Sequence, residues 1–449
     1  MPSSSFLAVT DNNKISSLYM KKYLLASILG LLPIADMPAG ASQDELRKWE
    51  PPREPLPLIE KFQLFTAGKA GYANYRIPGI VVTAKGSVLA FCDARKDAKL
   101  GDWSTIEIYM RRSTNGGRTW EPQKRIVYVG LHEKHGFTFE RNEVAVKQGL
   151  GAEGQRPITN QMPVVDYTTG EIHLFHCVEQ ARCFLMTSRD DGVTWSPPVE
   201  VTNVFDGFKK VYPWKALATG PGHGIQLANG RLVVPVWLSR GGGYNGHRPS
   251  VVSTIYSDDH GKTWLCGEIA AGEDDPLPNP NETVAIQLAD GRVMLNIRNE
   301  SPLHRRGVAI SPDGATGWSK PVYDPALKEP VCMGAITRLS SVKSHGKNRI
   351  LFSNPDNDRD GRAHVTNGLF RKNLSVKVSY DEGRTWPVNK VLEPGPSGYS
   401  DLAVLDDGTI LCIYEDGLSK SGSNFPSRFI SIARFNLEWL TDGADSLKQ

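Results

Sequence analysis

An eight-residue phrase, S-x-D-x-G-x-T-W, recurs along this 449-residue chain. It stands intact as SRDDGVTW (188–195), SDDHGKTW (257–264) and SYDEGRTW (379–386). STNGGRTW (113–120) carries Asn115 in place of the aspartate, and SPDGATGW (311–318) is one residue short before its threonine. The phrase has a physical reading. The Asp or Asn side chain caps a tight turn, Gly takes the positive-φ position, and Trp packs between neighbouring strands. Repetition of one turn at fixed places in a chain constrains the fold more than any composition does, because each copy must close an equivalent unit.

A second count runs in step with the first. Strand-like segments follow a glycine turn or its variant at Gly86 (SVLAFCDAR), Gly170 (EIHLFHC), Gly230 (RLVVPVW), Gly291 (RVMLNIR), Arg349 (ILFSNP) and Gly408 (TILCIYE). They are rich in β-branched and apolar residues, and each copy of the turn phrase falls between two of them. From the third segment onward the period is about 60 residues, which predicts small antiparallel sheets of about four strands. Radial repetition of such sheets protects strand edges. The expectation is an all-β, six-bladed β-propeller of four-stranded antiparallel sheets over 61–440, preceded by a proline-rich lead-in at 42–60. SRFISIARFNL (427–437) is expected to pair with the start of that region and close the ring. Gly (43) and Pro (30) are abundant, as so many turns require.

Composition narrows the function classes. Lys plus Arg number 52 against 49 Asp plus Glu, a net charge of +3, which argues against a polybasic nucleic-acid or membrane-surface protein. The six cysteines form no CxxC pair, so neither a zinc module nor a disulfide scaffold is signalled, and no metal or cofactor is expected. Cys177 and Cys183 are read as a pair of buried free thiols, with a hairpin bridge the alternative. At the N-terminus, Met20-Lys21-Lys22, an apolar run from Tyr23 to Leu32 and Ala39-Gly40-Ala41 have the layout of a signal peptide, with Met20 the working start. The run is too short to span a bilayer. Residues 1–41 are therefore expected to be a processed extension, and the mature protein to be exported, periplasmic or secreted, without membrane insertion.

The residues that carry chemistry begin at YRIPGI (75–80), followed by Arg95 in CDARKD and Asp102 in GDWST. With the turn phrase, these residues make the chain resemble the exo-α-sialidases from about residue 60 to 437. YRIP corresponds to that family's Arg-Ile-Pro motif and the turn phrase to its Asp box. The resemblance implies a catalytic role for Glu282 (PNETVAIQL), Tyr399 (GPSGYSDL) and Asp102. It implies an arginine clamp of Arg76, Arg298 and Arg371, with Glu415 (CIYEDG) holding Arg76 and Arg95 contacting the sugar's O4 or N-acetyl end. Asp97 is the alternative to Asp102, and Arg362 to Arg371. Where the family has an aspartate in its second blade, this chain has ITNQMPVVD, with Asn160 or Gln161 in the region.

The chemistry is coherent. Sialic acid carries a carboxylate on its anomeric carbon, and Arg forks match a carboxylate bidentately where Lys cannot. That carboxylate repels an anionic nucleophile, and a neutral tyrosine avoids the repulsion; sialidases are the standard tyrosine exception among glycosidases. The implied activity is retaining hydrolysis of terminal sialic acids from sialylated glycans. The alternatives are a trans-sialidase, including the intramolecular kind, a hydrolase of a deaminated ulosonic acid, and a sialic-acid-binding propeller lectin. A pure lectin has no use for a Tyr–Glu pair. Nothing in the sequence speaks to the oligomeric state.

Overall fold

The computed structural model describes residues 56–357, 371–417 and 427–447. The expected leader, and the alternative clamp residue Arg362, lie outside these residues.

Among the described residues most of the long elements are β-strands, and the helices are short, from the four-residue Leu437–Leu440 to the nine-residue 3-10 stretch Thr202–Lys210. Three sheets have four antiparallel strands; they open with Asn74–Val82, Ile158–Val165 and Thr283–Gln287. A fourth has five strands, with Ala216–Thr219 and Ile225–Gln226 both pairing with Leu232–Gly242. The fifth has seven, from Ile59–Thr66 at one edge to Ala335–Ser340 at the other. The expected six separate four-stranded sheets are thus not what the hydrogen bonding gives. The merged sheet has one cause: the strand Val388–Val404 is 17 residues long. Its first part pairs with Lys372–Ser379 and its last part with Ile410–Asp416, so two sheets merge through it.

The opening strands of the sheets pack on one another in a closed, propeller-like ring. Asn74–Val82 touches Ile158–Val165 on one side and Val388–Val404 on the other; Thr283–Gln287 and Ala335–Ser340 continue the circuit. Closure is made as the sequence led us to expect, by Phe429–Phe435 pairing antiparallel with Ile59–Thr66. Strands such as Asn74–Val82 and Val88–Arg95 are buried along their whole length. They lie between layers, which is why their sequences run apolar on both faces instead of alternating. The core lies between adjacent sheets; one cluster joins Leu64, Val88 and Cys92 to Leu411 and Ile432.

The repeated turns share one hydrogen-bond scheme. Asp190, Asp259 and Asp381 each accept, through Oδ1, from the backbone N–H of the threonine four residues on, at 2.8–2.9 Å. Asn115 does the same for Thr119 at 2.9 Å. In the shortened copy, Asp313 reaches Thr316 N at 2.8 Å, three residues on. The hydrogen bonds to the aspartates hold the Asp190 and Asp259 carboxyls down at about 2. Cys177 and Cys183 are register partners across a hairpin, both buried and both free.

Candidate active site

The opening strands all run the same way round the ring, so their starts converge at one end of its axis. Arg76, Asn160 and Glu282 stand at or near those starts, and Tyr399 stands where the last part of Val388–Val404 begins to pair with Ile410–Asp416. The Arg-Ile-Pro segment is a bulge: Arg76 pairs with Asp93 and Gly79 with Phe91, so Ile77 and Pro78 together face Cys92 alone. Ile77 sits at φ +55°, a left-handed conformation costly for a β-branched residue. It is held by hydrogen bonds at both ends of its peptide. Its N–H donates to Glu415 Oε1 at 3.1 Å, and its carbonyl accepts from Gln161 Nε2.

Glu415 is the hub of the arginine side. Its Oε1 accepts from Arg76 Nε at 3.0 Å and its Oε2 from Arg76 Nη2 at 3.2 Å and from Tyr399 N at 3.2 Å. Gly398 is required beside it, because a Cβ at that position would run into Glu415 Oε2.

Tyr399 lies at the centre. Its hydroxyl donates to Glu282 Oε1 at 2.5 Å and accepts from Arg298 Nη1 at 2.9 Å, and the same Nη1 also reaches Glu282 Oε2. The guanidinium carbons of Arg76 and Arg371 each stand 5.0 Å from the centroid of its ring. Three cations from separate strands therefore surround one phenol. Arg371 is anchored by donating from Nη2 to the carbonyl of Val331 at 2.6 Å, where Val331 is itself at φ +56°. Burial raises the Tyr399 hydroxyl well above its usual range, against the pull of Arg298, so the phenol is protonated in the free protein. Arg76 and Arg298 are held charged: burial works against them, but Glu415, Tyr399 and Asp102 around Arg76, and Glu282, Tyr399 and Glu329 around Arg298, together outweigh it.

Asp102 stands on the turn Gly101–Trp103 and keeps 30% of its side chain exposed. Its Oδ1 pairs with Arg95 Nη1 at 2.8 Å, and its Oδ2 accepts from Asn245 Nδ2 at 3.2 Å. Burial pushes its carboxyl up, but Arg95, His247 and Arg76 together hold it well below the ordinary carboxylate range. The alternative, Asp97, only caps its own turn by accepting from Lys99 N at 2.8 Å. Arg95 is buried between Asp102 and Asp93, whose Oδ2 lies 3.9 Å from its Nη2. Asn160 is occupied by the backbone: it donates to the Thr219 carbonyl at 3.0 Å.

All eight residues singled out from the sequence are thus gathered at this one end. Sequence reasoning missed three contributors. Asp93 is fully buried, accepts from Thr159 Oγ1, and is raised by burial to about 7, with Arg95 opposing. Asn245 and His247 arrive from the hairpin loop between Leu232–Gly242 and Arg248–Ser257, with His247 2.7 Å from Gln180 Oε1. The one signal for this loop was its glycine density, GGGYNG (241–246).

A family model described as a BNR repeat-like domain matches residues 139–412, more than half the chain. A sialidase of Micromonospora viridifaciens is 30% identical over 93% of this chain and 59% of its own length. A sialidase of Bacteroides fragilis is 31% identical over 79% of this chain and 62% of its own length. The chain therefore spans about three-fifths of these two relatives. Among solved structures, the Hadza microbial sialidase Hz136 superposes with a TM-score of 0.66 at 28% identity, covering 85% of this chain and 69% of that one. The chain therefore belongs to the family of BNR repeat-like domains, and over most of its length it is similar to proteins named sialidase.

Proposed function

We propose that this protein is an exo-α-sialidase that removes terminal sialic acids from sialylated glycans by a retaining mechanism through a tyrosyl-enzyme intermediate. One observation carries the reading: Tyr399 hydrogen-bonds Glu282 at 2.5 Å while Arg76, Arg298 and Arg371 surround it. A site built only to bind a carboxylate needs the arginines and not the Tyr–Glu pair. Arg76, Arg298 and Arg371 take the substrate carboxylate, with Glu415 fixing Arg76 and Arg95 reaching the sugar's far end.

In the first step the Tyr399 oxygen bonds to the anomeric carbon as its proton passes to Glu282. The bond from that carbon to the aglycone oxygen breaks, and Asp102 delivers a proton to the departing oxygen. In the second step Asp102 takes a proton from water, whose oxygen displaces Tyr399, and Glu282 returns the tyrosine's proton. Two inversions give net retention. Asp102 is ionised in the free protein, so the acid role requires that substrate raise it. A substrate carboxylate within the clamp supplies this, because it offsets positive charge near Asp102 and excludes water.

On the same reading, the seven-stranded sheet is two blades joined through Val388–Val404, and the ring is six-bladed. The leader layout supports export to the periplasm or beyond. The test is hydrolysis of a sialoside followed by proton NMR. The α-anomer of free sialic acid must appear first. An anhydro sugar as first product would reassign the protein as an intramolecular trans-sialidase, and binding without turnover as a lectin.

A further inference from the structure

We propose that Tyr244 is the stacking platform for the first sugar of the aglycone. This rests on the sialidase reading, which puts the acid at Asp102. A general acid works within about 3 Å of the oxygen it protonates. The aglycone ring that carries this oxygen must then lie on the Asp102 side of the site. The groups on that side are Arg95, already paired with Asp102, the buried Trp103, and the hairpin loop that delivers Asn245 and His247.

Tyr244 is the residue next to Asn245 and is 48% exposed; among the described residues, only Tyr167 is as exposed an aromatic. Tyr167 lines a cavity of about 390 Å³ formed by the far ends of the opening strands, where Val82, Leu288 and Val404 lie. That leaves Tyr244 as the exposed aromatic at the site end of the ring, backed by the Arg248 guanidinium, whose carbon stands 5.7 Å from its ring centroid.

Hydrogen bonds clamp the loop's backbone on both sides of this ring. Trp103 Nε1 donates to the Asn245 carbonyl at 3.3 Å, and Ser239 Oγ donates to the Gly246 carbonyl at 2.9 Å. On the other flank Arg248 Nη1 donates to the Tyr244 carbonyl at 2.9 Å, while Arg248 is forked onto Glu300 at 2.8 and 2.5 Å. Gly241 and Gly246 lie so close to Val144 that a Cβ at either would collide with it. A backbone clamped on both sides of a solvated ring is the arrangement of a pre-organised contact. The apolar C–H face of a pyranose matches an aromatic face, and such contacts set orientation in polar sites.

The test compares two substrates that differ only in the aglycone. In sialyllactose the leaving group is a galactose; in α-sialosyl fluoride it is one atom and reaches no platform. Tyr244→Ala should lower kcat/KM for sialyllactose about tenfold and leave the fluoride within twofold, and Tyr244→Phe should keep most of the sialyllactose rate. An unchanged sialyllactose rate in Tyr244→Ala, or an equal loss on both substrates, overturns the assignment. If the wild-type protein turns over neither substrate, the sialidase reading itself falls.

Discussion

Glu415→Gln is the substitution that most directly probes how the arginine side is built. The wild-type carboxylate receives four donors, from Arg76 Nε and Nη2 and from the backbone of Ile77 and Tyr399, in a site where both Arg76 and Glu415 side chains are 3% exposed. Glutamine keeps the volume and one acceptor oxygen. Its amide nitrogen then faces Arg76 Nη2 and Tyr399 N, which are donors themselves, and the buried Arg76 charge loses its counter-ion. Removing one partner of a buried pair costs about 3–5 kcal/mol. For a unit the size of Leu56–Gln449, the unfolding entropy is on the order of 0.8 kcal/mol per kelvin, so Tm should drop by about 4–6 °C. Arg76 also loses its fixed rotamer and Ile77 one restraint on its left-handed backbone, so kcat/KM on a sialoside should fall by about tenfold to a hundredfold. Calorimetry on wild type and variant, with kinetics on the same preparations, reads both effects. A melt within about 1 °C of wild type and unchanged kinetics would refute the hub role of Glu415.

Tyr399→Phe should abolish steady-state turnover while keeping most of the affinity for free sialic acid; turnover at the wild-type rate would remove Tyr399 from the nucleophile role. Asp102→Asn should cost roughly a hundredfold or more on sialyllactose, yet far less on an aryl sialoside whose phenolate leaves without a proton. Equal losses on the two substrates would argue against general-acid catalysis at this residue. Asp93→Asn reports on buried charge. The Asp93 carboxyl rises from an ordinary 3.8 to about 7 on folding, so between these values the folded state holds more protons than the unfolded one. Wild-type stability should therefore decline from about pH 4 to pH 7 on account of this group, and the variant should gain relative to wild type over the same window. Urea titrations at pH 4.5 and 7.5 check the sign; a variant whose advantage shrinks as pH rises contradicts the assignment.

Much of the fold and site could be read from the chain because the signals were local. A turn phrase whose aspartate binds the threonine four residues on needs nothing beyond its own eight residues, and Asp190, Asp259 and Asp381 make that bond alike. Glu282 and Arg298 are paired across one hairpin, so sixteen residues of separation already brought them together. Sheet count was less legible, since a single extended run through EPGPSGY lets Val388–Val404 serve two sheets. Asn245 and His247 escaped because they reach Asp102 from another sheet, more than 140 residues along the chain, with no motif to announce them.

The sequence by itself determined the all-β repeat and the turn chemistry, because each rests on residue type and short spacing, and its resemblance to the sialidases pointed to the arginines, the tyrosine and its glutamate. Only the tertiary structure decided how these groups are electrostatically set. It buried the Tyr399 phenol among three cations, tied Asp102 to Arg95 as an ionised acid, and left Asp93 without the solvent that would ionise it. Charge state depends on neighbours and dielectric, and the closure of the ring supplied both.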